Sequence, residues 1–311
     1  MNQAEEILHR PLVLMEGALG ERLKRDYGLN TNGIAGMSHL IYETGGSEAL
    51  REIWNTYIDV ARRYLLPLIA TTPTRRANCQ SLASAGLSHQ AITDNVRLLA
   101  SVRDASGIPM LAGGMMGCSG NAYTGEGCLS FTQARELHRW TVQQYEAAHA
   151  DFVFAALIPT LPEALGLAHA IAETTLPYLI SLTIQEDGRL IDGTPIAEAI
   201  EAVDASAPRK PVFYMSNCVH PRILHAALRQ PINQKPSVRE RFLGLQANTA
   251  DMPYHLLDAS PVLYTSSPEA LAEGMLALKR DFGFRLFGGC CGTDARHLEA
   301  IASAITQNAI A

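Results

Sequence analysis

The chain contains 311 residues, of which 47% are hydrophobic and 18% are charged, and its formal net charge is -6 at pH 7. This composition is typical of a globular protein, and the acidic balance argues against a nucleic acid as partner. The sequence has no uninterrupted run of roughly 18 apolar residues, so it predicts no membrane span, and its polar first residues do not resemble a signal peptide. We therefore expect a cytoplasmic protein whose cysteines are reduced.

Eight short hydrophobic runs recur along the chain, and most of them end in glycine, cysteine or small polar residues. Most are nearly continuous in Val, Ile, Leu, Phe and Ala, which is typical of parallel strands buried on both faces. The runs span residues 11–17, 65–72, 108–114, 151–158, 176–184, 211–218, 241–248 and 284–290.

Helical patterns fill the gaps between these runs. Four helix-start signals are Ser47 as a predicted N-cap, Ser130 with Gln133, Thr194 with Pro195, and Thr293 with Asp294. Strands that alternate with helices, without a break in composition, predict a single (β/α)8 barrel domain over residues 1–311. An open, doubly wound parallel sheet is the alternative fold.

A glycine-rich segment, residues 113–120, begins at the end of the third run and continues beyond it. A dinucleotide-binding fingerprint would require a helix directly after its first glycines, and the sequence predicts none there. We expect instead a long loop over the barrel mouth, which forms a lid or a substrate wall.

Three of the six cysteines fall at predicted strand ends, where barrel enzymes carry their reactive groups. Cys218 ends the sixth run, and Cys290 and Cys291 follow Gly289 at the end of the eighth. Three thiolates fill three corners of a zinc tetrahedron and leave the fourth open, as in a catalytic site. A substrate thiol at that corner would be deprotonated and nucleophilic. The pattern thus predicts Zn²⁺ and a reaction in which a thiol is alkylated.

The alternative for each candidate residue is a structural role. An adjacent cysteine pair is often two small buried side chains. Cys79, Cys118 and Cys128 lie in loop or helix contexts, so we interpret them as residues without a catalytic role. His220 and His297 each stand beside a helix start, which favours capping or packing over catalysis.

Three motifs together resemble the homocysteine S-methyltransferase family. They are GGCCGTDARH at the eighth strand, NCVHP at the sixth and MEGALG at the first. The resemblance extends from about Leu12 to Ile305 and includes residues 180–183, 187–190 and 192–194. It implies a zinc-binding (β/α)8 barrel with Cys218, Cys290 and Cys291 as ligands, and a small thiol and a methyl donor as partners.

The departures from the family pattern concern the substrate. Glu16 stands where better-known members have aspartate, and Ala156 stands where they have a glutamate that ends the fourth strand. In the family these two carboxylates hold the amino group of homocysteine, and the loss of one leaves a buried ammonium poorly compensated. The resemblance therefore implies a rebuilt amino-acid pocket. Its candidate contacts are Glu16, Gly17, Thr72, Asn217 and Asn248.

The function that follows is zinc-dependent methyl transfer to homocysteine or a related small thiol from an onium-type donor, such as S-methylmethionine or a betaine. A barrel that keeps the metal but catalyses a lyase or hydrolase step is the alternative, which Ala156 motivates. A non-catalytic metal or thiol binder, or a redox sensor with a Cys290–Cys291 disulfide, is a third hypothesis, but vicinal disulfides are strained. The outer helices leave room for a homo-oligomer interface, which nothing in the sequence marks.

Overall fold

The hydrophobic runs form eight parallel strands that close into a barrel in the computed structural model, which describes residues 3–253 and 265–307. The strands are β1 (Val13–Met15), β2 (Leu68–Thr71), β3 (Met110–Gly117), β4 (Phe152–Ile158), β5 (Tyr178–Leu182), β6 (Phe213–Val219), β7 (Phe242–Ala247) and β8 (Leu286–Gly289). Neighbours pair in chain order, and β1 closes the ring by pairing Val13 with Leu286. This confirms the barrel and excludes the open sheet.

Helices surround this barrel. They are α1 (Gln3–Leu8), α2 (Gly20–Tyr27), α3 (Gly46–Arg63), α4 (Cys79–Ser84), α5 (Gln90–Ala105), α6 (Phe131–Ala147), α7 (Leu161–Ala172), α8 (Ile196–Ser206), α9 (Pro221–Arg229), α10 (Pro236–Arg241), α11 (Pro268–Phe282) and α12 (Ala295–Gln307). Within the part of the chain that the structure describes, every helix is too short or too polar to serve as a membrane span.

The apolar side chains form two layers, one inside the barrel and one between strands and helices. Phe152, Phe154 and Met215 are fully buried within the interior layer, where Ala156 also lies. Ile7 and Leu8 of α1 belong to the same layer. The barrel interior is therefore a packed core rather than a pore, as in other barrels of this type, and the cavities lie elsewhere.

The helix starts agree with the sequence signals in three of four places. Ser130 N donates to Gln133 Oε1 at 3.2 Å before α6, and Asp294 Oδ1 accepts from Arg296 N at 3.0 Å at the start of α12. Helix α8 follows Pro195 directly. The prediction for Ser47 is wrong, because α3 already begins at Gly46 and the Ser47 hydroxyl donates to the Ile41 carbonyl instead.

The glycine-rich segment is also corrected in part. Strand β3 extends to Gly117, so residues 115–117, which lie beyond the predicted third run, belong to the strand together with Gly113 and Gly114 and not to a loop. A Cβ atom at Gly113 would lie 2.4 Å from the Phe152 ring, and one at Gly114 would lie 2.4 Å from the Tyr145 ring. These glycines therefore make room for aromatic side chains. The loop at the barrel mouth begins only at Cys118.

Leu65, which the sequence places at the start of the second run, instead ends the turn after α3. Its backbone has φ 56°, and its side chain is 90% exposed.

We expect Leu65→Gly to raise the free energy of unfolding by about 0.5–1 kcal/mol, because glycine relieves the left-handed strain by more than its extra chain entropy costs. Urea unfolding measures this. Leu65→Ala keeps the strain and should change stability little; an equal gain in both variants would contradict this reasoning.

Candidate active site

The thiols of Cys218, Cys290 and Cys291 form a cluster at the carboxyl ends of β6 and β8. Their sulfur atoms all lie within 4.8 Å of one another, and Cys218 Sγ lies 3.5 Å from Cys291 Sγ. Three sulfurs around a tetrahedral zinc ion stand about 3.8 Å apart, given a Zn–S distance near 2.3 Å. The spacing of the three sulfurs is therefore close to that of three corners of a zinc site.

A bulge in β6 orients Cys218. The register with β7 shifts between Asn217 and Val219, and Cys218 has the left-handed φ of 62°. Strand β4 carries a similar irregularity, with Leu157 at φ 57°. Asn217 Oδ1 accepts from Leu157 N at 3.1 Å and so links the two bulges. Left-handed backbone at residues other than glycine is strained, and such bulges redirect side chains near active sites.

The turn after β8 holds the other two thiols. Gly292 has a φ of 83°, which a residue with a side chain rarely adopts. The Cys290 amide donates to the Ala247 carbonyl of β7 at 2.7 Å. The Thr293 hydroxyl donates to Cys290 O at 2.7 Å and accepts from Ala18 N at 3.1 Å. The turn is thus attached to the strands on both sides of β8.

The three thiols share their protons. Hydrogen bonds from Cys290 and Cys291 lower the pKa of Cys218 well below its usual value, and donation to Cys218 raises the pKa values of both partners. Tyr123 also donates to Cys218, and Asn248 Nδ2 lies 3.6 Å from its sulfur. One thiolate is therefore favoured before a metal binds, and metal binding would displace the remaining protons.

These cysteines line a cavity of about 510 Å³ at the barrel mouth. The cavity is lined by Glu16, Gly17, Ala18, Leu19, Gly20, Glu21, Thr31, Asn32, Gly33, Gly36, Met37, Pro73, Arg75, Arg76, Met115, Tyr123, Leu157, Asn217, Cys218, Gln246, Gly289, Cys290 and Cys291. Three of the predicted substrate contacts, Glu16, Gly17 and Asn217, belong to this wall. Its size suits a small thiol together with a second small molecule.

The other two predicted contacts take different positions. The Thr72 hydroxyl is buried, where it bonds the Thr74 hydroxyl at 2.6 Å and accepts from Met115 N at 3.1 Å. Asn248 contacts the Cys218 sulfur, and its Oδ1 accepts from Ala250 N at 2.9 Å. Neither is among the described residues that line the cavity. Thr72 therefore links the end of β2 to β3, while Asn248 donates to the sulfur of Cys218.

Glu16 is buried at the end of β1 and is well provided with hydrogen bonds. Its Oε1 accepts from Thr71 N at 2.8 Å and from the Thr71 hydroxyl, and its Oε2 accepts from Trp54 Nε1 at 2.8 Å. Burial raises the pKa of Glu16 to about 7, although these hydrogen bonds act in the opposite direction. The carboxyl is therefore close to half ionised at neutral pH.

The sequence reasoning missed several residues of the wall, chiefly Arg75, Arg76 and Tyr123. The two arginines follow the end of β2, and a charged pair at the carboxyl end of a barrel strand is a signal that could have identified them. Tyr123 lies in the middle of the glycine-rich loop, and nothing in its sequence context distinguishes it. Its contact with Cys218 depends on how that loop folds.

A buried carboxylate, Glu163 of α7, holds this loop in place. It accepts from Ser119 N at 2.7 Å and from Leu129 N at 3.3 Å, and it contacts His138 Nε2 at 3.2 Å. Burial alone would raise the pKa of Glu163, but the bonds from His138 and Ser119 lower it below its usual value. Glu163 is therefore a fixed anion that joins both ends of the loop to α7.

The remaining cysteines and histidines take structural positions. Burial raises the pKa of Cys118 to about 11 and that of Cys128 further, so both stay protonated, in agreement with a non-catalytic role. His220 Nδ1 accepts from Arg222 N at 3.3 Å as the N-cap of α9. His297 Nδ1 contacts Asp294 Oδ1 at 2.9 Å. Both histidines thus act as the capping or packing groups that the sequence predicts.

Comparisons with known proteins point to one family. A family model described as homocysteine S-methyltransferase matches residues 13–305. The homocysteine S-methyltransferase YbgG of Bacillus subtilis is 25% identical over 97% of this chain and 98% of its own length. Homocysteine S-methyltransferase 3 of Arabidopsis thaliana is 27% identical over 65% of this chain and 59% of its own.

Solved structures show the same barrel. The metallated form of the homocysteine methyltransferase MmuM from Escherichia coli superposes with a TM-score of 0.75 at 23% identity, covering 97% of this chain and 99% of that one. This likeness supports the fold.

The raised pKa of Glu16 predicts a pH dependence of stability. Between about pH 4.5 and 7 the folded carboxyl holds a proton that the unfolded chain has lost, so the free energy of unfolding falls as pH rises. The total change is about 3 kcal/mol. We expect the free energy of unfolding of the wild type, relative to that of Glu16→Gln, to fall as pH rises through this window. Urea unfolding at several pH values measures this difference.

Glu136→Gln, at an exposed position on α6, serves as the control and should differ from wild type by about 0.5 kcal/mol or less at every pH. A difference curve for Glu16→Gln that is flat from pH 4.5 to 7 would show that Glu16 ionises normally.

Proposed function

Because this chain belongs to the homocysteine S-methyltransferase family, we propose that it transfers a methyl group from an onium-type donor to homocysteine or a related small thiol, with zinc held by Cys218, Cys290 and Cys291. The observation that carries the proposal is the convergence of these three thiols on one wall of the cavity. The proposal treats residues 1–311 as one functional domain. Small molecules are the partners that the family implies.

The donor set supports zinc as the metal. Three thiolates suit a borderline-soft ion that prefers tetrahedral geometry, whereas Mg²⁺ and Ca²⁺ prefer oxygen ligands. A zinc ion held by these sulfurs would lower the pKa of a fourth, incoming thiol and leave it nucleophilic near neutral pH. Tyr123 and Asn248 donate to Cys218 and would orient that ligand and moderate its charge.

Negative charge beside the cysteine cluster suits an onium donor. Cys218 and Glu16 line the same cavity and attract a sulfonium or quaternary ammonium group, whereas Arg75 and Arg76, which also line it, would repel that group from their part of the wall. In the transfer, the thiol would first lose its proton to solvent, and the thiolate sulfur would then bond to the methyl carbon while the donor's C–S or C–N bond breaks. The electron pair of the broken bond stays on the donor, whose sulfonium or ammonium centre becomes neutral. The leaving group therefore needs no proton, and no general acid has to be assigned.

Glu16 is the proposed partner for the amino group of homocysteine. Its carboxyl lines the cavity, and a neighbouring ammonium would favour its ionised form. Binding of the amino acid near pH 7 would therefore release a proton from Glu16. Asn217 holds Leu157 in the wall through its Oδ1 and so shapes the apolar side of the same space.

A lyase or hydrolase reaction in the same barrel is a second candidate, favoured by one observation. Ala156, at the position of the family's second carboxylate, lies in the apolar layer inside the barrel. Among the described residues that line the cavity, Glu16 and Glu21 are the only carboxylates. A substrate without an ammonium group would bind this wall at a smaller desolvation penalty than homocysteine does.

The metal is tested by its stoichiometry. Protein purified under reducing conditions should contain about one zinc ion per chain, and Cys291→Ala should lose it, since two sulfurs bind zinc much more weakly than three. Elemental analysis measures the content. X-ray absorption should show additional zinc–sulfur scattering when homocysteine is added.

Cys79→Ala is the matched control, because Cys79 begins α4 and lies outside the cluster. It should keep the zinc content of wild type. Zinc that is absent from the wild type, or retained in Cys291→Ala, would remove the basis of the proposal.

Activity is tested with a panel of thiols and onium donors. The wild type should methylate homocysteine or another small thiol from S-methylmethionine, glycine betaine or a sulfonium compound. Cys291→Ala should lower kcat/KM by at least about 10³-fold, because the loss of thiol activation removes several kcal/mol of transition-state stabilisation. Mass spectrometry of the methylated thiol provides the readout. Turnover without any thiol acceptor would favour the lyase or hydrolase candidate instead.

A further inference from the structure

A second cavity of about 390 Å³ adjoins the candidate active site. Arg75, Arg76 and Tyr123 line both cavities and form the partition between them. The far walls of the second cavity come from the loop after β3 and from α4 and α6. A molecule that binds beside the three cysteines therefore has room to extend past these side chains.

Arg75 stands out among the half-buried arginines. Arg103 pairs with Asp151 at 2.6 Å, and Arg241 pairs with Asp204 at 2.9 Å. Arg75 makes no hydrogen bond or ion pair within residues 3–253 and 265–307. A guanidinium has five N–H donors in a planar fork that matches a carboxylate, so an unpaired one between two cavities is suited to an external anion.

The end of β3 is built to accommodate this arginine. A Cβ atom at Gly117 would lie only 2.7 Å from Arg75 Cγ and 3.3 Å from the Arg75 carbonyl. The absence of a side chain at Gly117 thus allows the Arg75 stem to lie across the strand end. An alanine there would displace the guanidinium without removing its charge.

The surroundings of the second cavity favour an anion on balance. Arg75 provides a positive charge, while the nearby carboxylate of Glu163 is engaged by His138 and two backbone amides. Thr141, which also lines the cavity, has a buried hydroxyl without a hydrogen-bond partner among the described residues. Buried hydroxyls are usually bonded, so this one offers a further donor to a ligand.

We propose that Arg75 and the second cavity form a subsite for the carboxylate of one of the two substrates. The inference rests on the proposed function, because the substrates are those of methyl transfer, and it adds a requirement that the family alone does not specify. The ligand class is a small acid whose carboxylate lies past Arg75 while its reactive end lies beside the three cysteines.

The first arm of the test compares two thiols that differ only in charge, 4-mercaptobutyrate and 4-mercaptobutanamide. Isothermal titration calorimetry on the zinc-loaded protein measures their affinities. We expect the acid to bind the wild type about 10–100-fold more tightly than the amide, and Arg75→Met to abolish this preference. Arg75→Lys should retain part of it, because lysine keeps the charge but loses the fork.

The second arm compares two methyl donors, (2-carboxyethyl)dimethylsulfonium and its methyl ester, with 2-mercaptoethanol as acceptor. If the donor carries the carboxylate, Arg75→Met should lower kcat/KM for the acid about 10–100-fold and leave the ester unchanged. Gly117→Ala should also lower kcat/KM for the acid. Arg51→Met, at an exposed position on α3, is the control and should behave as wild type in both arms.

The outcomes separate this inference from the proposed function. An acid preference that is absent from both arms, or that survives in Arg75→Met, overturns the subsite, even if methyl transfer to neutral thiols proceeds. Conversely, acid binding that depends on Arg75, without methyl transfer and without any change in the spectrum of cobalt-substituted protein, supports the subsite and overturns the proposed function. Zinc content should be the same in every Arg75 variant.

Discussion

The pairing of β1 with β8 is the constraint on which the rest of the site depends. Closure places the end of β1 against the cysteine turn, where Gly289 N donates to Glu16 O at 3.0 Å and Ala18 N donates to the Thr293 hydroxyl. The same ring brings Cys218 of β6 within 3.5 Å of Cys291, although the chain between them includes all of β7 and β8. In an open sheet with the same strand order, Glu16 of β1 would lie at the edge opposite to Cys290 and Cys291 of β8 and could not share a cavity with them.

Much of the fold and the centre of the site follow from the sequence. Strands buried on both faces are nearly continuous in apolar residues, so all eight could be located, and their alternation with helices indicates a barrel. The cysteine cluster could be predicted for the same reason, since parallel strands in a barrel all end at one rim. The strand ends bring Cys218 and the Cys290–Cys291 pair to the same rim, whereas the bulge that orients the Cys218 side chain is visible only in the structure.

What could not be predicted depends on contacts between distant parts of the chain. The glycine-rich composition of residues 113–117 is typical of a loop, and the reason for glycine at Gly113 and Gly114, which is the room needed by the rings of Phe152 and Tyr145, is visible only in the structure. Thr72 and Asn248 fall at strand ends like the true wall residues, but the pleat and local hydrogen bonds turn them away from the cavity. The environment of Arg75 depends on the absence of a side chain at Gly117, a residue that is far away in sequence.

The amide of Asn217 has a consequence for how the protein responds to its ligands. This side chain joins two strained bulges, one that presents Leu157 to the cavity and one that carries the Cys218 sulfur. A ligand that contacts Leu157 would therefore also act on the backbone that orients Cys218. If a metal binds the three sulfurs, linkage would make this effect reciprocal, so that the metal would change the affinity for the part of the substrate that contacts Leu157.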